Sequence, residues 1–276
     1  MVSNLSTIGF DFDDDEAFRA AMAKLADEAT ERMATAAGEY AVWRSRTGAE
    51  IWFHLAAETD DETGERAIIG LTPFFEGHSD IPVEIGDRIE RPDDNAMEGA
   101  FSAWVAPDDL GLGAYPIVFD AVDFAAHTDR ELPDVWRARI AGFARDLKAY
   151  PDEAAFLAAS DGAGMGLAAQ SFIPVGLFNE DEDGDTDDEA GTMPAADEGE
   201  LELSDAPQSY AILTGRVAEH VRHINEATGK PFHWLLVESL AATYDVLADP
   251  EAVTGDITVG GTVEVACLLF GRILEE

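Results

Sequence analysis

Two arginines and three of the chain's six histidines fall between Tyr210 and His233. On an extended chain Arg216, His220 and Arg222 share one side, away from Val217 and Val221. A row of guanidinium, imidazole and guanidinium suits an anionic ligand or the acidic segment of a partner. Trp234, on the following strand, is the fourth candidate contact. An ordinary wet strand face, neutralised by nearby carboxylates, is the plain alternative. His220, His223 and His233 could together hold a metal. Residues three apart on a strand point to opposite faces, however, so His220 and His223 diverge unless a bulge intervenes.

A second constellation lies in an acidic run. Asn179, Asp181, Asp183, Asp185 and Asp187 surround Gly184 with the spacing of a calcium loop, with oxygen side chains at its first, third, fifth, seventh and ninth positions. The pattern is partial: Ala190 stands at position twelve, where such a loop supplies a bidentate Glu, and Pro174 interrupts any entering helix. Ca2+ is thus the single cofactor the sequence raises, and a solvated tether is the alternative. Asp13 to Asp15 are best read as helix-cap and dipole partners, with metal binding by Asp11, Asp13 and Asp15 as the alternative.

Catalysis has weaker support. His54, His78 or Asp120 could line a cleft in the first part of the chain, yet their spacing specifies no reaction. Cys267 lies among Val265, Leu268 and Leu269, a core setting rather than the electropositive one a thiolate nucleophile needs. Phosphate loop, zinc-protease helix and nucleophile elbow are all missing. No catalytic residue is assigned, and the reading leans away from an enzyme.

The elements that must position these groups follow from periodicity. Phe18, Met22, Leu25, Ala29 and Met33 recur at helical spacing, with Gly38 placed as a C-terminal cap. Tyr40–Trp43 and Ile51–Leu55 make a hairpin, extended by Ala67–Leu71. Pro82–Ile85, Gly99–Val105 and Tyr115–Phe119 are further strands, the last an edge strand because of Pro116. Pro133 opens a predicted helix with Trp136, Ile140, Phe143 and Leu147 on one face, and Pro151 precedes a shorter one. The expected first domain, residues 1–179, is therefore α+β, an antiparallel sheet covered by helices.

Residues 180–206 hold thirteen acidic residues and no basic one. They lack the apolar surface to offset chain entropy, and are expected to be a disordered linker. Residues 207–276 read as four or five short strands. The first and last echo each other, Leu213-Thr-Gly-Arg-Val217 against Leu269-Phe-Gly-Arg-Ile273, as barrel closure would explain. The pattern resembles the five-stranded Greek-key barrel called the OB-fold, whose early strands form a binding face. That resemblance concerns fold alone and fixes no function.

Composition narrows the classes. Asp and Glu number 57 against 17 Lys and Arg, a formal charge of −40, and Lys24, Lys148 and Lys230 are the only lysines. Such a surface repels polyanions, so nucleic acid is disfavoured as a partner. An ordinary acidic protein and adaptation to concentrated salt both fit it. Cys267 is the sole cysteine, which excludes an internal disulfide. No secretory leader and no apolar run long enough for a bilayer is seen, so a cytoplasmic, soluble protein without membrane contact is expected. The sequence thus points to a non-enzymatic binding protein of two modules on an acidic tether, with a protein partner. Oligoanion or nucleic-acid binding on the closing barrel, and an enzyme with a cleft in the first domain, remain the alternatives.

Overall fold

The computed structural model describes residues 2–12, 14–59, 66–108, 113–163, 166–177 and 207–274. The acidic run of 180–206 and the calcium-like set of Asn179, Asp181, Asp183, Asp185 and Asp187 lie outside them. Near the N-terminus, helix α1 (Asp15–Glu28) is capped by Asp14, whose carboxylate accepts from the Ala17 N–H at 2.7 Å. It buries Met22 and Leu25 and ends earlier than its apolar spacing predicted. Met33 belongs instead to β1 (Glu31–Ala34), which pairs with β2 (Gly38–Arg44). With β3 (Ala49–Thr59) and β4 (Arg66–Phe75) these form a four-stranded antiparallel sheet in chain order.

The remaining strands form one larger sheet. They are β5 (Ile81–Ile89), β6 (Ala100–Val105), β7 (Tyr115–Ala121), β8 (Asp134–Tyr150), β9 (Ser171–Ile173), β10 (Tyr210–Ile224), β11 (Pro231–Glu238), β12 (Thr243–Ala248), β13 (Val253–Thr254) and β14 (Thr262–Leu274). Among the described residues only one other α-helix occurs, α2 (Glu153–Ala163). The protein is therefore predominantly β, and the expected helix-covered α+β domain is corrected. The predicted helix after Pro133 is strand β8. Its Trp136, Ala138, Ile140, Ala144 and Leu147 enter one core, while Ala141 and Phe143 enter another. A strand buried on both faces fills both parities with apolar residues. A register slip at Arg145 shifts the phase further, and together these imitate a helical repeat.

β8 and β14 pair antiparallel from Thr262↔Tyr150 to Leu274↔Arg137, and this ribbon is the spine of the molecule. On one part of it β5, β6 and β7 close a ring of five strands; on the other β10, β11 and β12 close a second. The expected self-contained OB-like barrel of residues 207–276 is thus also corrected. Its first and last strands do pair, but its ring closes only through β8, from the first part of the chain. Pro116 is tolerated in β7 because that strand meets β14 only at Asp120 and Ala121, leaving the Pro116 flank unpaired by the spine.

The two rings repeat one pairing scheme. The first strand of each set runs antiparallel to one spine strand, β5 on β8 and β10 on β14. The third runs parallel to the other, β7 on β14 and β12 on β8. First and second strands slip at matching places, Gly86 and Ala218. Asp120 pairs with Ala100 and Phe270, as Leu247 pairs with Trp234 and Phe143, so the two occupy equivalent positions. One continuous core fills both rings. Where they meet, the Tyr115 and Tyr244 hydroxyls lie 2.8 Å apart and Phe172 stacks on both rings.

A second core lies between the outer face of the spine and the four-stranded sheet, joining Phe143 and Phe270 to Trp43, Trp52 and Phe53. At its edge Asp245, fully buried, accepts from the His78 and Ser79 N–H groups at 2.9 and 2.8 Å and from Trp234 Nε1 at 2.8 Å. That clamp requires Gly77, since a Cβ there would come within 2.1 Å of the Asp245 carboxyl.

Candidate functional site

Arg139 and Arg272 stand directly opposite each other on the β8–β14 ladder. Like charges in that position repel, and the first sheet supplies the compensation. Glu76, just after β4, is ion-paired to Arg139 and lies 3.1 Å from Arg272; Glu31 of β1 lies 3.3 Å from Arg272. Arg44 extends the lattice to Glu31 and Glu76 at 3.2 and 3.3 Å and to the buried Glu50. Burial raises the Glu76 carboxyl, but Arg139, Arg44 and Arg272 outweigh it and hold it below its ordinary value. Glu50 is held above its ordinary value by burial, even though Arg44 and Trp52 favour its charge.

This lattice forms one wall of a cavity of about 540 Å³. The opposite wall is the segment after β7, where Asp123 accepts from Ile273 N and from His127 Nε2, both at 3.1 Å. Arg88 donates to the His127 and Arg130 carbonyls and fixes that segment. Arg130 is exposed, stacks 4.8 Å above the Trp136 ring, and has no ion pair among the described residues. Met33, Ile273 and Leu274 add an apolar side. Arg139 and Arg272 keep 16% and 19% of their side-chain surface exposed. Each guanidinium carries five donors. The contacts to Ser79, Glu76 and Glu31 occupy two on each of these arginines. Three guanidinium groups with spare donors therefore face one cavity in a chain of charge −40.

The sequence candidates are distributed differently from expectation. The slip at Ala218 turns the first strand of the second ring over, so Arg216 and Val221 share a face with Trp234 while His220 and Arg222 lie on the other. Arg216 is paired with Glu238 at 3.0 Å, and Trp234 is buried. The expected stripe of Arg216, His220 and Arg222 is split. His220 Nε2 and His233 Nδ1 approach to 2.9 Å, while His223 packs against Phe232 and Phe75 on the other face. Burial lowers His220, and burial with His220 and Arg222 nearby brings His233 down to about 4. No group of three or more His, Cys, Asp or Glu among the described residues is placed to hold a metal.

Cys267 is fully buried and its thiol pushed up to about 12 by burial. His78 is exposed beside Trp234. His54 and Asp120 converge instead on a second, smaller cavity, through Glu98 and Thr72 in the case of His54. Arg130, Arg139 and Arg272 carry no local signal: Arg139 lies in a segment whose apolar spacing predicts a helix, and its meeting with Arg272 depends on a ladder between residues more than a hundred positions apart.

Comparison with protein-family models finds no match, and comparisons with curated proteins and with solved structures find none either.

Proposed function

We propose that this is a non-enzymatic binding protein whose ligand is a small organic anion, a carboxylate or phosphate ester with an apolar body, held in the arginine-walled cavity. The observation that carries this reading is the convergence of Arg130, Arg139 and Arg272 on one cavity. Its volume suits a small metabolite, and its mix of apolar and charged walls is typical of such sites. Arg130 supports it most directly, because a guanidinium stacked on Trp136 with no carboxylate partner among the described residues is preorganised for an incoming anion. The charge of −40 favours a small anion over a polyanion: each added phosphate meets the same repulsive field. An oligoanion on the closing strands is the weaker reading, since Arg216 no longer lies beside His220 and Arg222.

The test is calorimetric titration of the full chain with hexanoate, succinate and glycerol 3-phosphate. At least one is expected to bind, with affinity falling about tenfold or more in Arg130→Ala, as for loss of one charge-assisted pair, and unfolding unchanged. Equal binding by wild type and Arg130→Ala, or no binding of any of the three at millimolar concentration, sinks the proposal. Among the described residues no helix is long and apolar enough to cross a membrane.

A further inference from the structure

The arginine-walled cavity also carries carboxylates, and they differ in what they still offer a ligand. Asp123 is closed in, accepting from Ile273 N and His127 Nε2 with 2% of its side chain exposed. Glu76 is committed to Arg139, Arg272 and Arg44. Glu31 is less engaged. Its Oε1 lies 3.3 Å from Arg272 Nη2 and its Oε2 3.2 Å from Arg44 Nη2, and 38% of its side chain is exposed. A carboxylate accepts about four hydrogen bonds, so about half of the capacity of Glu31 is unused, and this residue lines the cavity.

Its position matters as much as its capacity. Along β1, Glu31 and Met33 are half-buried while Arg32 and Ala34 are exposed, so Glu31 and Met33 share a side. Along β14, Arg272 and Leu274 are likewise two apart, half-buried and on one face. All four line the cavity. Arg272 and Glu31 meet at 3.3 Å and form one polar end; Met33 and Leu274 lie one strand repeat, about 7 Å, along their strands from it. The spacing describes a ligand with a head of both signs and an alkyl tail. The charge of the lining agrees, since Arg130, Arg139 and Arg272 are matched by Glu31, Glu76 and Asp123. A bare anion gains the guanidiniums but meets the Glu31 carboxylate. An ammonium beside the anion turns that repulsion into a charge-assisted hydrogen bond.

We infer that the ligand of this cavity is a zwitterion, a free α-amino acid with an apolar side chain. Its carboxylate lies on Arg130 and the spare donors of Arg139 and Arg272, its ammonium on Glu31, and its side chain against Met33 and Leu274. The inference rests on the reading of the cavity as an anion site and narrows it. An ammonium only donates, so Glu31 selects the amino acid over the corresponding acid, whereas Arg130 serves both.

Norleucine, hexanoate and pentylamine share one alkyl chain and differ in the head: ammonium with carboxylate, carboxylate alone, ammonium alone. Each is titrated into the full chain at neutral pH and followed by calorimetry. Norleucine should bind about tenfold or more tighter than hexanoate, and pentylamine should not bind at millimolar concentration. Glu31→Gln keeps the shape and removes the charge. It should erase the advantage of norleucine while binding hexanoate as tightly as wild type or more so, a result that a misfolded variant could not give. Hexanoate or pentylamine binding as tightly as norleucine, or an advantage of norleucine that survives in Glu31→Gln, overturns the amino-acid assignment and leaves the anion site standing. Failure of norleucine and hexanoate alike overturns both. If Glu31→Gln does not fold, the three wild-type titrations still decide.

Discussion

At the scale of the residue, burial and neighbours decide protonation. His233 and His220 form a neutral pair in which one nitrogen donates to the other, and His233 is brought down to about 4. The folded state resists protonation that the unfolded chain accepts near pH 6.5, so stability is present above that value and is lost as pH falls toward 4. Both rings are partly solvated, and after screening the loss should be on the order of 1–2 kcal/mol. Urea unfolding midpoints between pH 7 and pH 4.5 should fall less steeply in His233→Gln than in wild type. Parallel pH dependences would show that the pair does not titrate as described.

At the scale of the element, the first sheet is held to the spine by an apolar core and by ion pairs from Glu31 and Glu76, of which Glu76 reaches both spine arginines. Glu76 sits among Arg139, Arg272 and Arg44 and compensates the repulsion between the first two. Glu76→Ala should therefore destabilise the protein by about 2–4 kcal/mol, as for a partly buried ion-pair network stripped of one member. Equilibrium urea denaturation measures it. A loss below about 0.5 kcal/mol, the range of an ordinary surface substitution, would mean that solvent already screens the arginines from each other. Legibility at this scale was mixed. The β2–β3 hairpin and α2 could be read because their signals are local, a turn glycine and a Pro-Asp-Glu start. β8 could not, because burial on both faces erased its period of two.

At the scale of the whole molecule, the shared spine makes the chain's two ends interdependent. The ring of β10, β11 and β12 closes through β8, and the core of each ring continues into the other. The N-terminal segment is bound into the later strands as well: Asn225 donates to the Ile8 carbonyl at 2.8 Å, and Arg145 to that of Val2 at 3.0 Å. A fragment of residues 207–276 would expose the β14 edge and the open side of the ring. It should show neither dispersed amide resonances nor a cooperative urea transition, whereas the full chain should show both. A well-dispersed spectrum from the fragment would mean that its strands find another closure.

The sequence by itself determined the local strands and turns, the absence of an internal disulfide, the acidic field and the helix-capping role of Asp14, since these depend on residue type and near neighbours. It also placed His54 and Asp120 among the candidates by chemistry alone. Only the tertiary structure decided that Arg139 faces Arg272, that Asp120 answers to Leu247, and that Arg216 parts from His220. The pairing of β8 with β14 joins residues far apart in the chain, and one slipped residue in a strand exchanges its two faces. Neither leaves a mark in local periodicity.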